Sequence, residues 1–203
     1  MHPHEVKLLR QYAINEVAGG LLLGRHLLKS ADPVVRSELT HHALDEFKHG
    51  WMWTEFLDKA GVGVAGAEGR NEYFEYIGTQ EDDLEFLAAV HIYEIRVPFH
   101  LGVHMEHPGL SPGLKEVIGA IRDDEKFHLG WIRKYLLARM ETEPERVRAA
   151  VAASEALEER TYRAYLERIK QYGEYCGEFV ALIENALPSF DAPGKYFAEP
   201  AHA

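Results

Sequence analysis

The sequence predicts an all-α fold. Apolar residues recur at steps of three or four along almost the whole chain, and no convincing stretch alternates with a period of two. The length of 203 residues and the hydrophobic fraction of 46% fit one domain, residues 1–203, with a sizeable core. Five long helices are expected, at about 5–29, 33–60, 80–107, 113–140 and 144–187, with a short helical piece at about 71–77.

Turn and capping residues set these boundaries. Asp32-Pro33 predicts an N-cap followed by a proline in the first turn of the second helix. A glycine-rich connection, Gly61–Gly69, follows that helix, and Thr79 is the expected N-cap of the third long helix. Pro144 opens a fifth helix that we expect to run unbroken, and the tail 188–203 carries three prolines and no periodicity.

The composition excludes several classes of function. The net charge of −11 argues against nucleic acid and anionic membrane surfaces as partners. No apolar run approaches the roughly 20 residues that cross a bilayer, and no signal peptide is recognisable. The single cysteine, Cys176, excludes an internal disulfide framework and a Cys-based metal site. We therefore expect a cytoplasmic protein without membrane or nucleic-acid partners.

Each of the first four long helices carries one glutamate near the middle of its otherwise apolar inward stripe. These residues are Glu16, Glu46, Glu94 and Glu125. No lysine or arginine lies in any of the four stripes, and an unpaired buried carboxylate costs several kcal/mol. The four glutamates must therefore be protonated, turned outwards, or neutralised by cations.

The spacing of the four glutamates and two histidines favours neutralisation by cations. Glu46–His49 and Glu125–His128 are Glu-x-x-His pairs, which place two ligands on one helical face. Glu16 and Glu46 each lie fifteen residues from the turn near residue 31, so the equal arms of a hairpin bring both carboxylates to one level. Glu94 and Glu125 are placed in the same way about the turn near residues 108–109.

An internal repeat supports the same interpretation. Glu16 maps to Glu94 at an offset of 78 residues, and Glu46 maps to Glu125 at an offset of 79. Asp45-Glu46-x-x-His49 likewise parallels Asp124-Glu125-x-x-His128. We therefore expect two copies of a helical hairpin, joined by a long crossover and packed about a pseudo-two-fold axis.

Over about residues 5–140 the chain resembles the ferritin-like superfamily of di-iron carboxylate proteins, in which two helices give one Glu each and two give Glu-x-x-His. The resemblance implies a ferritin-like four-helix bundle at 1–142, with an additional helix at 143–187. It implies two irons, or an iron–manganese pair, bridged by Glu46 and Glu125. Glu16 and Glu94 would be terminal ligands, and His49 and His128 would bind one metal each. In bacterioferritin-like members, an Asp before the ligand Glu bonds a metal-bound histidine, and Asp45 and Asp124 occupy that place.

The resemblance also implies a function. We expect an oxidoreductase that activates O2 or peroxide to oxidise a small organic or acyl-type substrate; the alternative is a ferroxidase or peroxide scavenger of ferritin or rubrerythrin type. A self-contained rubrerythrin is disfavoured, because Val97 stands where classical rubrerythrins have an extra glutamate and because Cys-x-x-Cys is absent. No flavin or nicotinamide motif is visible, so electrons would come from an external ferredoxin or flavoprotein. The long fifth helix and the tail favour a small oligomer, a homodimer, over a cage.

Three further residues are candidates for catalysis. Tyr12 lies one turn before Glu16, where core packing and a redox role are both open. His42 and His91 lie one turn before Glu46 and Glu94, and a long crossover would place both at one end of the centre together with Gly20. We expect His42, His91 and Gly20 to border one cavity, in which a histidine relays a proton, holds a carboxylate or adds a ligand. The alternative is that both histidines are ordinary core residues. The three tryptophans are expected in the core: Trp51, Trp53 and Trp131.

Overall fold

The computed structural model describes residues 1–64 and 71–187, and these residues form seven α-helices and no strand. The predicted all-α class is therefore confirmed. The helices are α1 (Pro3–Leu27), α2 (Pro33–Lys59), α3 (Glu72–Thr79), α4 (Asp83–Met105), α5 (Leu114–Thr142), α6 (Pro144–Lys170) and α7 (Glu174–Ala186). The tail 188–203 and residues 65–70 of the glycine-rich connection lie outside the described residues.

Aspartate caps set the starts of two helices. Asp32 accepts hydrogen bonds from the backbone N–H groups of Val34 and Val35, so α2 begins where the sequence predicts. The predicted N-cap at Thr79 is wrong. Thr79 is the last residue of α3, and Asp82 caps α4 by accepting from the N–H of Leu84.

The predicted single fifth helix is also wrong, because the chain reverses at Gly173. This residue has φ +127°, a backbone conformation that residues other than glycine rarely adopt, and it separates α6 from α7. Helix α7 then packs against α1, α4 and α6 and buries an apolar face. That face consists of Tyr175, Cys176, Phe179, Val180 and Ile183. Burial of this face compensates for interrupting the helix.

Contacts between side chains fix the directions of the helices. His26 lies 2.8 Å from Asp83 and Tyr12 lies 2.8 Å from His100, so α1 and α4 are antiparallel. Helix α1 also forms an antiparallel hairpin with α2, and α4 forms one with α5. Helices α2 and α4 therefore run parallel, as the length of the connection between them predicts.

Two apolar clusters occupy the two ends of the bundle, one around Leu9 and Ile118 and the other around Leu39 and Leu87. Trp53 is fully buried in the first cluster, and Trp131 packs against the second. Trp51 instead has 61% of its surface exposed, which corrects the expectation of a core residue. Two residues along a helix turn the side chain by about 200°, so Trp51 points away from the face that Trp53 buries. None of the helices in the described residues has the length and apolar composition that crossing a bilayer requires.

Candidate metal centre

The first set of converging donors lies on α1 and α2. Glu16, Glu46 and His49 each offer one ligand atom, and these atoms lie within 4.8 Å of one another. His49 is fully buried, and its Nδ1 atom also lies 3.6 Å from Glu125 Oε1 on α5. One cation can therefore reach carboxylates from both hairpins together with an imidazole.

The second set joins α2 to the α4–α5 hairpin. His42, Glu46, Glu94 and His128 also offer ligand atoms within 4.8 Å of one another, and all four residues are buried. His128 Nδ1 lies 3.5 Å from Glu46 Oε1 and 3.0 Å from Glu125 Oε2. The structure thus brings together all six residues that the sequence predicts as ligands.

Two carboxylates lie between the donor sets. Glu46 belongs to both sets, and Glu125 has one oxygen near each of the two ligand histidines. Several buried polar atoms in the sets have no hydrogen-bond partner among the described residues: Glu46 Oε1, His49 Nδ1, His128 Nε2 and both ring nitrogens of His42. Buried polar atoms without partners are costly, so these donors fit a pair of cations that complete their coordination.

Aspartates from opposite helices lie behind His49 and His128, and a hydrogen bond joins His49 to its aspartate. His49 Nε2 on α2 lies 3.2 Å from Asp124 Oδ2 on α5, and His128 Nε2 on α5 lies 3.5 Å from Asp45 Oδ2 on α2. Each contact directs the Nδ1 atom of its ring towards the glutamates. Partial burial alone would raise the pKa of Asp124, but its contacts with Lys48 and His49 hold that pKa below its usual value. The sequence predicted both aspartates for this role, although it did not predict that each would reach the other hairpin.

The electrostatics of the cluster are unfavourable without cations. Burial and the neighbouring carboxylates raise the pKa values of Glu16, Glu46 and Glu125 well above the usual value. Burial would also raise the pKa of Glu94, but the imidazoles of His128 and His42 hold it well below the usual value. Burial lowers the pKa of His49 to about 4, so this ring is neutral near pH 7, the form that binds metals.

Tyr12 connects the cluster to a hydrogen-bonded chain that the sequence analysis missed. Trp53 Nε1 donates to Glu16 Oε1 at 3.0 Å, and the Trp53 ring packs against buried Tyr12 at a centroid distance of 5.4 Å. The Tyr12 hydroxyl lies 2.8 Å from His100 Nε2 and 3.3 Å from His104 Nδ1. Burial lowers the pKa values of both histidines to about 3 and raises that of Tyr12, so all three are neutral near pH 7.

This chain continues in both directions. His100 Nδ1 lies 2.9 Å from the Tyr162 hydroxyl, and His104 Nε2 lies 3.1 Å from the Tyr175 hydroxyl, which donates to buried Glu5. The spacing of His100 and His104, one turn apart on α4, was the available signal, but their tyrosine partners are distant in sequence.

The two candidate histidines occupy different positions. His42 Nε2 lies 3.4 Å from both Glu46 Oε1 and Glu94 Oε1, and its ring stacks on His128 at 3.7 Å. His91 is buried one turn before Glu94 but belongs to neither donor set, and burial lowers its pKa to about 4. His42 is therefore placed as an additional donor on one side of the cluster.

A cavity of about 240 Å³ opens onto the cluster. All four glutamates line it, together with mainly apolar and aromatic side chains from α1, α3, α4 and α6. Its lining includes Gly19 but not Gly20, His42 or His91, so the prediction that those three border one cavity is wrong. For Gly20 the reason is its angular position around α1. A side chain at Gly20 would meet Phe47 and the Ala43 carbonyl, whereas one at Gly19 would meet Glu46 Oε2 at 3.0 Å.

No protein-family model matches this sequence, and no curated protein matches it either. Over residues 1–64 and 71–187 the structure is helical, with a buried cluster of glutamates and histidines that could bind a metal. The functional assignment therefore depends on the chemistry of that cluster and of the cavity beside it.

Proposed function

We propose that this chain is a non-haem di-iron, or iron–manganese, oxidoreductase that uses O2 or peroxide to oxidise a small organic or acyl-type substrate. The observation that carries this proposal is a pair of donor sets that share Glu46 and face a cavity with a mainly apolar lining. The resemblance to ferritin-like carboxylate proteins leads to the same reaction class.

The donor chemistry favours iron or manganese. The two sets contain carboxylates and imidazoles and no thiolate, and these ligands suit iron and manganese. Glu16, Glu46, Glu94 and Glu125, together with His49 and His128, would hold the two metals. When bound, such a pair would supply the electrons that reduce O2 or peroxide.

The protein residues account for the remaining chemistry. Four carboxylates offset the four positive charges of two divalent ions, so the loaded site is close to neutral inside an apolar bundle. The hydrogen bond from His49 to Asp124 would fix the ring that presents Nδ1, and Asp45 lies 3.5 Å from Nε2 of His128 on the corresponding side. Tyr12 lines the cavity and forms hydrogen bonds with two neutral histidines, so it is placed to exchange a proton with a molecule bound there.

The cavity favours an organic substrate over iron as the substrate. Besides its glutamates, this cavity exposes leucine, isoleucine, valine, phenylalanine and tyrosine side chains to its contents, and a mainly apolar lining with a few polar groups suits an organic molecule. Sustained turnover would also need an external electron donor, a ferredoxin or a flavoprotein, because the chain has one cysteine and no visible cofactor motif.

We further propose a homodimer formed through the outer face of α1 and α2. Large apolar side chains remain exposed there at helical spacing on both helices: Ile14, Val17, Leu21, Leu44, Phe47 and Trp51. Gly50 lies against Val17, which places the two rows side by side. Contiguous exposed apolar surface of this kind marks an interaction site, and a second copy of the chain can cover it by two-fold symmetry.

Anaerobic reconstitution with ferrous iron followed by exposure to O2 tests the proposed function. We expect a fixed stoichiometry of two irons per chain and O2 consumption, without growth of a mineral when iron is in excess. Continued uptake of iron into a large particle would contradict the oxidoreductase and support the ferroxidase alternative.

A further inference from the structure

The cavity beside the metal centre is elongated along the helices. On α1 its lining residues run from Gln11 to Leu23, a rise of about 18 Å at 1.5 Å per residue. On α4 they run from Val90 to Leu101, which is a similar length. A cavity of about 150 Å³ holds benzene. The observed volume of about 240 Å³ therefore admits a longer molecule than a single ring.

The two ends of the cavity differ in polarity. Arg96 pairs with Glu158 and His100 contacts Tyr162, so α6 runs parallel to α4. Arg168, near the end of α6, therefore lies at the same end of the cavity as Gln11 on α1. The opposite end is mainly apolar and is formed by α3 and the adjoining turns of its neighbours: Leu22, Phe74, Ile77 and Val90.

Arg168 differs from the other arginines on the outer part of α6. Arg160 pairs with Glu72 and Arg163 pairs with Glu159. Arg168 is exposed and forms no ion pair among the described residues; its guanidinium lies 5.5 Å from the ring centroid of Tyr165, another cavity residue. Among the described residues, Arg168 is thus an exposed cavity cation without a carboxylate partner, and the amides of Gln11 and Asn15 line the same cavity.

We infer that the cavity binds an elongated, mostly apolar monocarboxylate with its head group at Arg168 and its chain directed towards α3. This inference rests on the proposed function, because it names the substrate class of the same site. The orientation follows from charge. Arg168 attracts a carboxylate at its end of the cavity, whereas the end at α3 offers mainly apolar side chains, which suit the rest of the molecule. Carbons in the interior of the chain then lie beside the metal ligands.

Calorimetric titration of manganese-loaded protein with decanoate, and with decanol as its neutral counterpart, tests the inference. We expect saturable decanoate binding at one molecule per chain. The variant Arg168→Ala should weaken decanoate binding about tenfold and change decanol binding less than twofold, because only the carboxylate uses the guanidinium. The control Arg163→Ala, on the same helix but outside the cavity, should change neither.

A second variant tests the position of the ligand without disturbing the core. Ala164 is exposed at the mouth of the cavity, whereas Ala153 is exposed on the same helix outside it. Ala164→Trp should abolish binding of both molecules, and Ala153→Trp should leave both unchanged. Equal effects of Arg168→Ala on decanoate and decanol, or of the two tryptophan variants, would overturn the inference.

The metal content of each titrated sample separates this inference from the proposed function. Two metals per chain without saturable decanoate binding would overturn only the assignment of the substrate class. Failure of the chain to hold two metals would overturn the proposed function.

Discussion

His49 Nε2 lies 3.2 Å from Asp124 Oδ2, across the contact between α2 and α5, while Nδ1 of the same ring faces the glutamate cluster. His128 and Asp45 form a longer contact of 3.5 Å in the opposite direction. A histidine held from behind in this way presents a fixed nitrogen to a cation. The contact also joins the two hairpins at the level of the proposed centre, so metal binding and packing between the hairpins depend on the same residues.

Replacing Asp124 tests this support. The variant Asp124→Asn removes the charge behind His49, and we expect metal affinity to fall by about 10- to 100-fold. The neighbouring Asp123 is exposed and, among the described residues, pairs only with Lys126, so Asp123→Asn is a matched control that should bind metal as the natural chain does. Competition titration with a chromogenic chelator measures both. Equal affinities in the two variants would contradict the supporting role of Asp124.

Metal removal should destabilise the fold. If cations bind the folded cluster and not the unfolded chain, loading at 100 times the dissociation constant adds about 2.7 kcal/mol per bound ion to the free energy of unfolding. Chemical denaturation of metal-free and manganese-loaded protein measures this difference. Unfolding free energies that agree within error would mean that the buried glutamates do not hold cations.

In the metal-free protein, Glu16→Gln should increase stability at pH 7. Burial and Glu46 raise the pKa of Glu16 in the folded state. The contribution of Glu16 to folding stability is therefore most favourable below its usual pKa of 4.5, and it is lost as the pH rises from that value through the raised pKa of the folded state. The stabilisation by the variant should therefore grow with pH, by at most about 1.4 kcal/mol per pH unit. The exposed Glu141 provides the control Glu141→Gln, which should have little effect. A metal-free Glu16→Gln variant that is less stable than the natural chain at pH 7 would contradict this electrostatic account.

The histidine–tyrosine chain should make the free energy of unfolding decrease at low pH. Burial lowers the pKa of His100 to about 3 from 6.5, so the unfolded state binds more protons between these values. Its stabilising contribution is complete above pH 6.5 and falls by up to about 1.4 kcal/mol per pH unit as the pH decreases towards 3. His100→Gln retains a polar partner for the tyrosines and should reduce this slope. Denaturation curves at pH 7, 6, 5 and 4 test the prediction, which a slope unchanged by the variant would refute.

The exposed apolar face of α1 and α2 should determine the oligomeric state. Leu44→Glu combined with Trp51→Glu places charges on side chains that are 62% and 61% exposed, so the fold should persist while a dimer dissociates. Size-exclusion chromatography with light scattering should give twice the chain mass for the natural protein and one chain mass for the variant. A natural protein that is monomeric at all concentrations would exclude the proposed homodimer.

The sequence predicted the members of the glutamate and histidine cluster because that information is local and periodic. Glu46-x-x-His49 and its copy Glu125-x-x-His128 lie on single helices, and equal hairpin arms are enough to predict that they meet. The break at Gly173 was less accessible, because glycine is tolerated within helices and the gain from folding α7 back depends on tertiary contacts. The sequence predicted that Gly20 would line the cavity, whereas Gly19 lines it. These two residues differ by 100° around the helix, and their spacing from Glu16 does not decide between them.

Native mass spectrometry of the chain titrated with divalent manganese measures the central claim most directly, because it counts the metals on each chain. The account predicts saturation at two ions per chain and fewer than two in Glu46→Gln, which loses the carboxylate that both donor sets share. It predicts two ions in the exposed control Glu141→Gln. Saturation at one ion or none in the natural chain, or two ions bound unchanged in Glu46→Gln, would contradict a binuclear centre at these residues.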